Sequence, residues 1–123
     1  MQLEGKTALI TGGSSGIGFA TAKLFQDHGA KLAITGTDET KLAKAKANLG
    51  GKVLTIRADV GKVADMSRMA QEAKSAFGLL NIFFANAGTA LATPLGATDE
   101  TAYIKLMDVN VKGVFFSVQA VVP

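Results

Sequence analysis

Residues 11–18, with the sequence TGGSSGIG, form a glycine-rich segment between a predicted strand and a predicted helix. Glycine has no Cβ atom, so this segment can turn tightly and let a ligand lie against its backbone. The free N–H groups at a helix start favour an anion, most naturally a diphosphate. The glycines could instead serve only a tight turn, but the flanking strand and helix favour nucleotide binding. The predicted diphosphate-binding residues are Gly12, Ser14, Ser15, Gly16, Ile17 and Gly18.

The spacing of these glycines narrows the class of nucleotide site. It is Gly-x-x-x-Gly-x-Gly, whereas the ordinary dinucleotide fingerprint is Gly-x-Gly-x-x-Gly. A P-loop would end in Gly-Lys-Ser or Gly-Lys-Thr, and this segment does not. The segment is therefore neither the ordinary fingerprint nor a P-loop.

Short apolar runs alternate with segments of helical period along the whole chain. We predict strands at residues 6–11, 31–36, 52–60 and 79–88. Helices are predicted from Ile17 to Gly29, from an Asp38 cap to Gly50, over a third stretch that ends near Gly78, and from near Thr98–Asp99 onwards, after a loop around Pro94. This alternation predicts a doubly wound parallel sheet with right-handed crossovers. The apolar fourth strand is expected to be buried on both faces.

Apolar spacing predicts which face each helix buries. In the first helix the apolar positions are Ile17, Ala20, Leu24, Phe25 and His28. In the third they are Met66, Met69, Ala70, Ala73 and Phe77. The last helix has two apolar faces, one with Leu106, Val109, Gly113, Phe116 and Ala120, the other with Val111, Val114, Phe115, Val118 and Val122. One face can cover the sheet, and we expect the second to meet a partner.

Four segments of the chain resemble motifs of the short-chain dehydrogenase/reductase family. They are TGGSSGIG at residues 11–18, RADV at 57–60, ANAG at 85–88 and DVNVKGVFF at 108–116. They occur in the family's order and spacing, and the resemblance extends over the whole chain. It implies a Rossmann-like doubly wound parallel sheet with strand order 3-2-1-4, the C-terminal strands missing. It also implies hydride transfer between NADP or NAD and an alcohol or carbonyl substrate.

The resemblance also implies roles for residues at the ends of the third and fourth strands. Asp59 would contact the adenine ring, with the backbone of Val60 beside it, although an Asp there could simply cap the next helix. Asn86, Ala87 and Gly88 would lie beside the nicotinamide ribose. Asn is common in loops because its side chain can hydrogen-bond to backbone groups that lack another partner. This structural role is compatible with positioning the cofactor.

Asn110 is a polar residue inside an otherwise apolar predicted helix. Asn is a poor helix former there, and burying it unpaired costs free energy. The resemblance makes it a catalytic residue that helps hold water near an active-site lysine. The alternative is that it ties two chain segments together by hydrogen bonds.

The choice between NADP and NAD depends on the residues at the end of the second strand. An acidic residue there would bind the ribose 2′-OH of NAD, and a basic residue would accommodate the 2′-phosphate of NADP. The resemblance places Gly36 at the acidic position and Thr37 at the next, so neither charge is present. Thr37 could donate to a phosphate, whereas Asp38 is expected to cap a helix. We therefore favour NADP, with NAD as the alternative.

The family's remaining catalytic residues, a Ser and a Tyr-x-x-x-Lys pair, follow the asparagine helix. The single tyrosine, Tyr103, precedes Asn110 and is followed four residues later by Met107, so it is not the catalytic tyrosine. The single histidine, His28, is expected to be structural. Residues 1–123 are thus expected to be an NAD(P)-binding domain incomplete at its C-terminus, with Pro123 short of a fifth strand. The alternatives are a non-catalytic, truncated nucleotide-binding or assembly module and, less in keeping with ANAG and DVN, a methyltransferase.

Composition limits the remaining classes of partner. The chain is 48% hydrophobic and 19% charged, as globular proteins are. Its net charge of +3 comes from scattered residues, so we expect no nucleic-acid partner. With no cysteine, no disulfide or zinc–thiolate site can form, and no metal site is predicted. Neither a signal peptide nor a membrane-spanning run is visible, so we expect a cytoplasmic homo-oligomer, a dimer or tetramer, that associates through its last helix.

Overall fold

The computed structural model describes residues 1–90 and 95–122. The elements in this part of the chain are β1 (Thr7–Ile10), α1 (Gly16–Asp27), β2 (Lys31–Gly36), α2 (Glu39–Asn48), β3 (Leu54–Arg57), α3 (Val63–Phe77), β4 (Ile82–Phe84), α4 (Glu100–Met107), a π-helical turn (Asp108–Lys112) and α5 (Gly113–Val121). The loop predicted around Pro94 and the expected chain break at Pro123 lie outside the described residues.

The four strands form one parallel sheet in the order β3-β2-β1-β4, as the sequence predicts. The chain leaves β1 toward β2 and β3, then crosses over to place β4 on the other side of β1. Leu9 on β1 is in register with Phe83 on β4, and Gly36 on β2 with Arg57 on β3. The carboxyl ends of all four strands therefore meet at one edge of the sheet.

Each strand sends alternate side chains to two hydrophobic layers. Ile10 and Ile34 pack with α1 and α2 on one face of the sheet, whereas Leu9 packs on the other. On that second face the buried side of α3 contributes Met66 and Met69, both fully buried. The predicted apolar face of α3 is therefore correct at these positions.

Helix ends follow the predicted capping residues. The Asp38 carboxylate caps α2 by accepting hydrogen bonds from the N–H groups of Thr40 and Lys41. Gly29 and Gly78, just beyond α1 and α3, have φ values of +95° and +74°. Only glycine adopts this left-handed region without strain, so both residues end their helices where the sequence predicts.

The predicted buried face of α1 is wrong at Ile17 and Leu24, although Phe25 packs against the core as predicted. Ile17 and Leu24 are 73% and 56% exposed, whereas Gly18 and Ala22 are buried. Gly18 has to face the turn after β1, because this is where the helix approaches other backbone most closely. That requirement sets the rotation of the helix and turns Ile17 and Leu24 toward solvent.

The fourth strand is less buried than the sequence predicts. Ile82, Phe83 and Phe84 do contact the hydrophobic layers on both faces of the sheet. All three are only half-buried, because β4 is an edge strand of the described sheet and has a neighbour on one side.

The last predicted helix divides into α4, the π-helical turn and α5, but its two faces are correctly predicted. Ala120 and Val109 pack on the sheet layer that contains α3. The exposed apolar side chains of the other face are Val111, Val114, Phe115, Val118 and Val122.

Substituting Met69→Ala should lower the free energy of unfolding by about 2–5 kcal/mol, because it removes a fully buried side chain and leaves a cavity. Met107, which is 38% exposed, provides the matched control, since Met107→Ala leaves no enclosed cavity. Urea unfolding of both variants measures the difference. Equal losses in the two variants would contradict the assignment of Met69 to the core.

Candidate functional site

A groove of about 550 Å³ lies outside the carboxyl ends of the strands, beside the point where the chain crosses from β3 to β4. Nine of the predicted cofactor-binding residues line it together. They are Gly12, Ser14, Ser15, Thr37, Asp59, Val60, Asn86, Ala87 and Gly88. Grooves at this position in doubly wound sheets are where such proteins bind their ligands.

The remaining three predicted residues, Gly16, Ile17 and Gly18, open α1 beside the groove. The first N–H groups of an α-helix have no acceptor within the helix and are available to an anion. Ser15 is the residue before the helix, and its hydroxyl makes no capping hydrogen bond there. This end of α1 therefore retains donors on the groove side of the sheet.

The glycine turn is packed too tightly for side chains at Gly12, Gly13 and Gly18. A Cβ atom on Gly18 would lie 2.2 Å from the carbonyl oxygen of Gly12, and one on Gly12 would lie 2.9 Å from the Cα atom of Ala87. Gly12 also has a φ value of +68°, in the left-handed region. These glycines therefore let α1, the turn and the segment after β4 approach one another.

Thr11 and Asn86 fasten the glycine turn to the segment after β4. The buried Thr11 hydroxyl oxygen accepts hydrogen bonds from the N–H groups of Asn86 and Ala87, both at 3.0 Å. The Asn86 amide donates to the carbonyl oxygens of Thr11 and Gly12, both at 3.2 Å. The Asn86 side chain thus fills the loop role that its residue type suggests, while its neighbours line the groove.

Asp59 is half-buried in the turn between β3 and α3. Its carboxylate accepts a hydrogen bond from the N–H group of Gly61 at 2.8 Å, and its own N–H group donates to Asp65 at 2.9 Å. Lys62 occupies the N-cap position of α3 without a side-chain capping hydrogen bond, and Asp59 shapes the preceding turn instead of capping the helix. Asp59 is part of the groove lining, and its contact with adenine remains a prediction.

Asn110 lies at the centre of the π-helical turn and is joined to the chain segment after β4. Its side-chain oxygen accepts from the N–H group of Thr89, and its amide donates to the Thr89 carbonyl oxygen, both at 2.8 Å. Both functions of the amide are therefore engaged by one residue of the neighbouring segment. Asn110 therefore connects two segments by hydrogen bonds, which is one of the two roles that the sequence suggested for it. Its catalytic role remains a prediction.

A side chain at position 36, at the end of β2, would lie close to its neighbours. A Cβ atom on Gly36 would lie 3.2 Å from the Ser14 hydroxyl oxygen and 3.3 Å from the Leu42 side chain. The Asp38 carboxylate, two residues later, is engaged with the N–H groups that begin α2. Thr37 is exposed in the groove, and its carbonyl oxygen accepts a hydrogen bond from Arg57.

Six lining residues were not identified as site residues from the sequence, namely Thr35, Lys41, Ala58, Thr89, Lys105 and Val109. Lys41 lies in the first turn of α2, directly after the Asp38 cap, so its position follows from the predicted cap. Lys105 and Val109 are four residues apart, the spacing of one helical face. Their place in the groove lining depends on how α4 and the π-helical turn pack on the rest of the chain, which the local sequence does not specify.

Comparison with known proteins defines the family. The family model for short chain dehydrogenases matches residues 6–123. The chain belongs to the short-chain dehydrogenase family. The oxidoreductase asL5 of Sarocladium schorii is 41% identical over 122 residues, covering 99% of this chain and 49% of that protein. The tropinone reductase-like 1 protein of Erythroxylum coca is 36% identical, covering 93% and 43%.

Solved structures of the family have the same architecture. A short-chain dehydrogenase/reductase of Brucella melitensis, described as a glucose/ribitol dehydrogenase, matches with a TM-score of 0.96 and 30% identity, covering 100% of this chain and 53% of that chain. A 3-ketoacyl-(acyl-carrier-protein) reductase of the same organism, complexed with NADH, matches with a TM-score of 0.92 and 33% identity over 98% and 50%. The chain spans about half the length of these relatives.

No helix in the described residues is both long and apolar enough to cross a membrane.

Substituting Asn110→Ala should accelerate hydrogen exchange at the Thr89 amide, because that N–H group loses its acceptor. The Thr89 carbonyl loses its donor at the same time, and because both bonds are exposed to water the free energy of unfolding should fall by only about 0.5–1.5 kcal/mol. Hydrogen–deuterium exchange read by NMR measures the local effect, with Asn48→Ala on the exposed end of α2 as the control. Unchanged exchange at Thr89 would show that the tie does not hold the segment.

Proposed function

We propose that this chain is the cofactor-binding half of an NAD(P)-dependent oxidoreductase that transfers a hydride between nicotinamide and an alcohol or carbonyl substrate. The observation that supports it is the convergence of nine predicted cofactor-binding residues on one groove at the switch point of the sheet. The relatives are oxidoreductases, and one similar structure contains NADH.

Along the sheet edge, successive residues of the groove would contact successive parts of a dinucleotide. The α1 start and the glycine turn would hold the diphosphate, because they offer N–H donors and no obstructing Cβ atoms. Asp59 and Val60 would contact the adenine, and the segment with Ala87 and Gly88 would lie beside the nicotinamide ribose. Bound nicotinamide supplies the hydride chemistry.

Asn110 would act in this enzyme by positioning the segment after β4 and by helping to hold water for the proton relay. The proton donor or acceptor for the substrate oxygen would be a tyrosine beside a lysine, with a serine steadying that oxygen. These residues would lie in a second half of the enzyme, since the relatives are about twice as long as this chain. We propose that residues 1–123 are the nucleotide-binding domain of that longer enzyme, and its cytoplasmic location stays a prediction.

We expect the protein to bind NADP(H) more tightly than NAD(H). Position 36 is a glycine, so no carboxylate there opposes a 2′-phosphate or binds a free 2′-OH. Replacing Thr37 with Asp should reverse the preference, because a carboxylate repels the phosphate and accepts from the ribose hydroxyl. Calorimetric titration of the full chain with both cofactors gives the two dissociation constants.

The matched control is Thr98→Asp, which adds the same charge at an exposed residue outside the groove and should leave the preference unchanged. Tighter binding of NAD(H) by the unaltered protein would contradict the NADP preference. Failure to bind either cofactor would contradict the proposed function itself. Oxidation or reduction of an alcohol–carbonyl panel by the longer enzyme, followed by nicotinamide absorbance, tests the reaction, because residues 1–123 alone lack the tyrosine and lysine that would transfer the proton.

We also propose that the exposed apolar face of α5 is a contact between subunits. Phe115 and Val122 on this face are 61% and 74% exposed, and α5 contributes to the sheet layer through its opposite side. Phe115→Glu should therefore shift the protein toward the monomer, because a charge at the centre of an apolar contact is desolvated without a partner. Sedimentation measures the shift.

The control for this variant is Ala47→Glu, an exposed position on α2 across the sheet from α5. It adds the same charge without touching the proposed contact. A monomer at all concentrations for the unaltered protein, or equal shifts in both variants, would contradict the interface.

A further inference from the structure

Two cationic side chains line the groove and a second, smaller depression that adjoins it at Thr37, Ala58 and Asp59. Lys41 lines the groove. Arg57 lines the adjoining depression of about 330 Å³. The Arg57 Nε–H group donates to the Thr37 carbonyl oxygen at 3.3 Å, which ties the guanidinium to the end of β2.

The carboxylates that line the groove and the depression have hydrogen-bond partners within the chain. Asp38 accepts from two N–H groups at the start of α2, Asp59 accepts from the N–H group of Gly61, and Asp65 accepts from the N–H group of Asp59. Arg68, which also lines the depression, forms ion pairs with Asp65 and Glu72. Within residues 1–90 and 95–122, neither Lys41 nor Arg57 forms such an ion pair. Their positive charge is therefore available to a ligand.

The space between these cations also favours an anion over a bare hydroxyl. At the position where an acid would bind a ribose 2′-OH, Gly36 lies close to the Ser14 hydroxyl and the Leu42 side chain. The neighbouring side-chain groups in the groove lining are the hydroxyls of Ser14 and Thr37, the ammonium group of Lys41 and the Asp38 carboxylate, which is engaged at the start of α2. Hydroxyl and ammonium donors suit a phosphate, which accepts hydrogen bonds and carries about two negative charges.

We propose that Lys41 and Arg57 are the residues that give this protein its preference for a 2′-phosphorylated adenine nucleotide, with Thr37 where the groove meets the depression. The inference rests on the proposed function. It assigns recognition of the 2′-phosphate charge to residues of α2 and β3, where a basic residue at the end of β2 would otherwise be expected. Lys41 contributes a mobile point charge from the first turn of α2. Arg57 contributes a planar group already held by one of its N–H donors.

Adenosine 2′,5′-bisphosphate and adenosine 5′-monophosphate differ only by the 2′-phosphate and are the ligands for the test. Calorimetric titration of the full chain should give tighter binding of the bisphosphate. Lys41→Met and Arg57→Met keep the apolar stems and remove the charges. Each should weaken bisphosphate binding about tenfold, the effect of one charge-assisted hydrogen bond, and leave monophosphate binding unchanged. The affinity for the bisphosphate should also depend less on salt concentration in each variant.

Lys44→Met is the matched control, because Lys44 is exposed on the same helix and does not line the groove. It removes the same charge and should leave both affinities unchanged. Equal weakening in all three variants would indicate a general field effect and overturn the assignment, as would unchanged bisphosphate binding in the Lys41 and Arg57 variants. If the unaltered protein binds neither nucleotide, the proposed function fails. If it binds the monophosphate as tightly as the bisphosphate, only this inference fails.

Discussion

The hydrogen bonds between Thr11 and the segment after β4 are the constraint on which the groove depends. In the register of the sheet, β1 and β4 are neighbours although more than seventy residues separate them, as in the pairing of Ile10 with Phe84. The Thr11 hydroxyl oxygen accepts from two consecutive N–H groups there, and the Asn86 amide returns two bonds to the glycine turn. Because these bonds join the ends of both strands, they set the distance between the two walls of the groove.

Features that depend on local periodicity could be predicted from the sequence. The bounds of β2 and the cap of α2 follow from one apolar run and one Asp residue, and the observed elements match them. The two faces of the last helix were predictable for the same reason, since the side chains on opposite sides of a helix alternate with a fixed period. The four motifs of the family carried the strand order, because local spacing alone does not specify which strands are neighbours.

Features that depend on contacts between distant segments could not be predicted in this way. Apolar residues occur on more than one side of α1, and the close approach at Gly18 decides which of them are buried. The π-helical turn occurs where Asn110 bonds to Thr89, which lies twenty-one residues earlier. Lys105 lines the groove through the placement of α4, which the local sequence does not specify. In each case the deciding neighbour is remote in sequence.

The absence of a side chain at Gly18 has a consequence for how this protein can vary. A Cβ atom at that position would meet the Gly12 carbonyl oxygen at 2.2 Å and the Asn86 amide nitrogen at 2.6 Å, so it would disturb two segments together. The effects of substitutions at these three residues should therefore be coupled, since residues that share contacts do not contribute additively to stability. We therefore expect substitutions in the glycine turn to be accompanied by substitutions in the segment after β4.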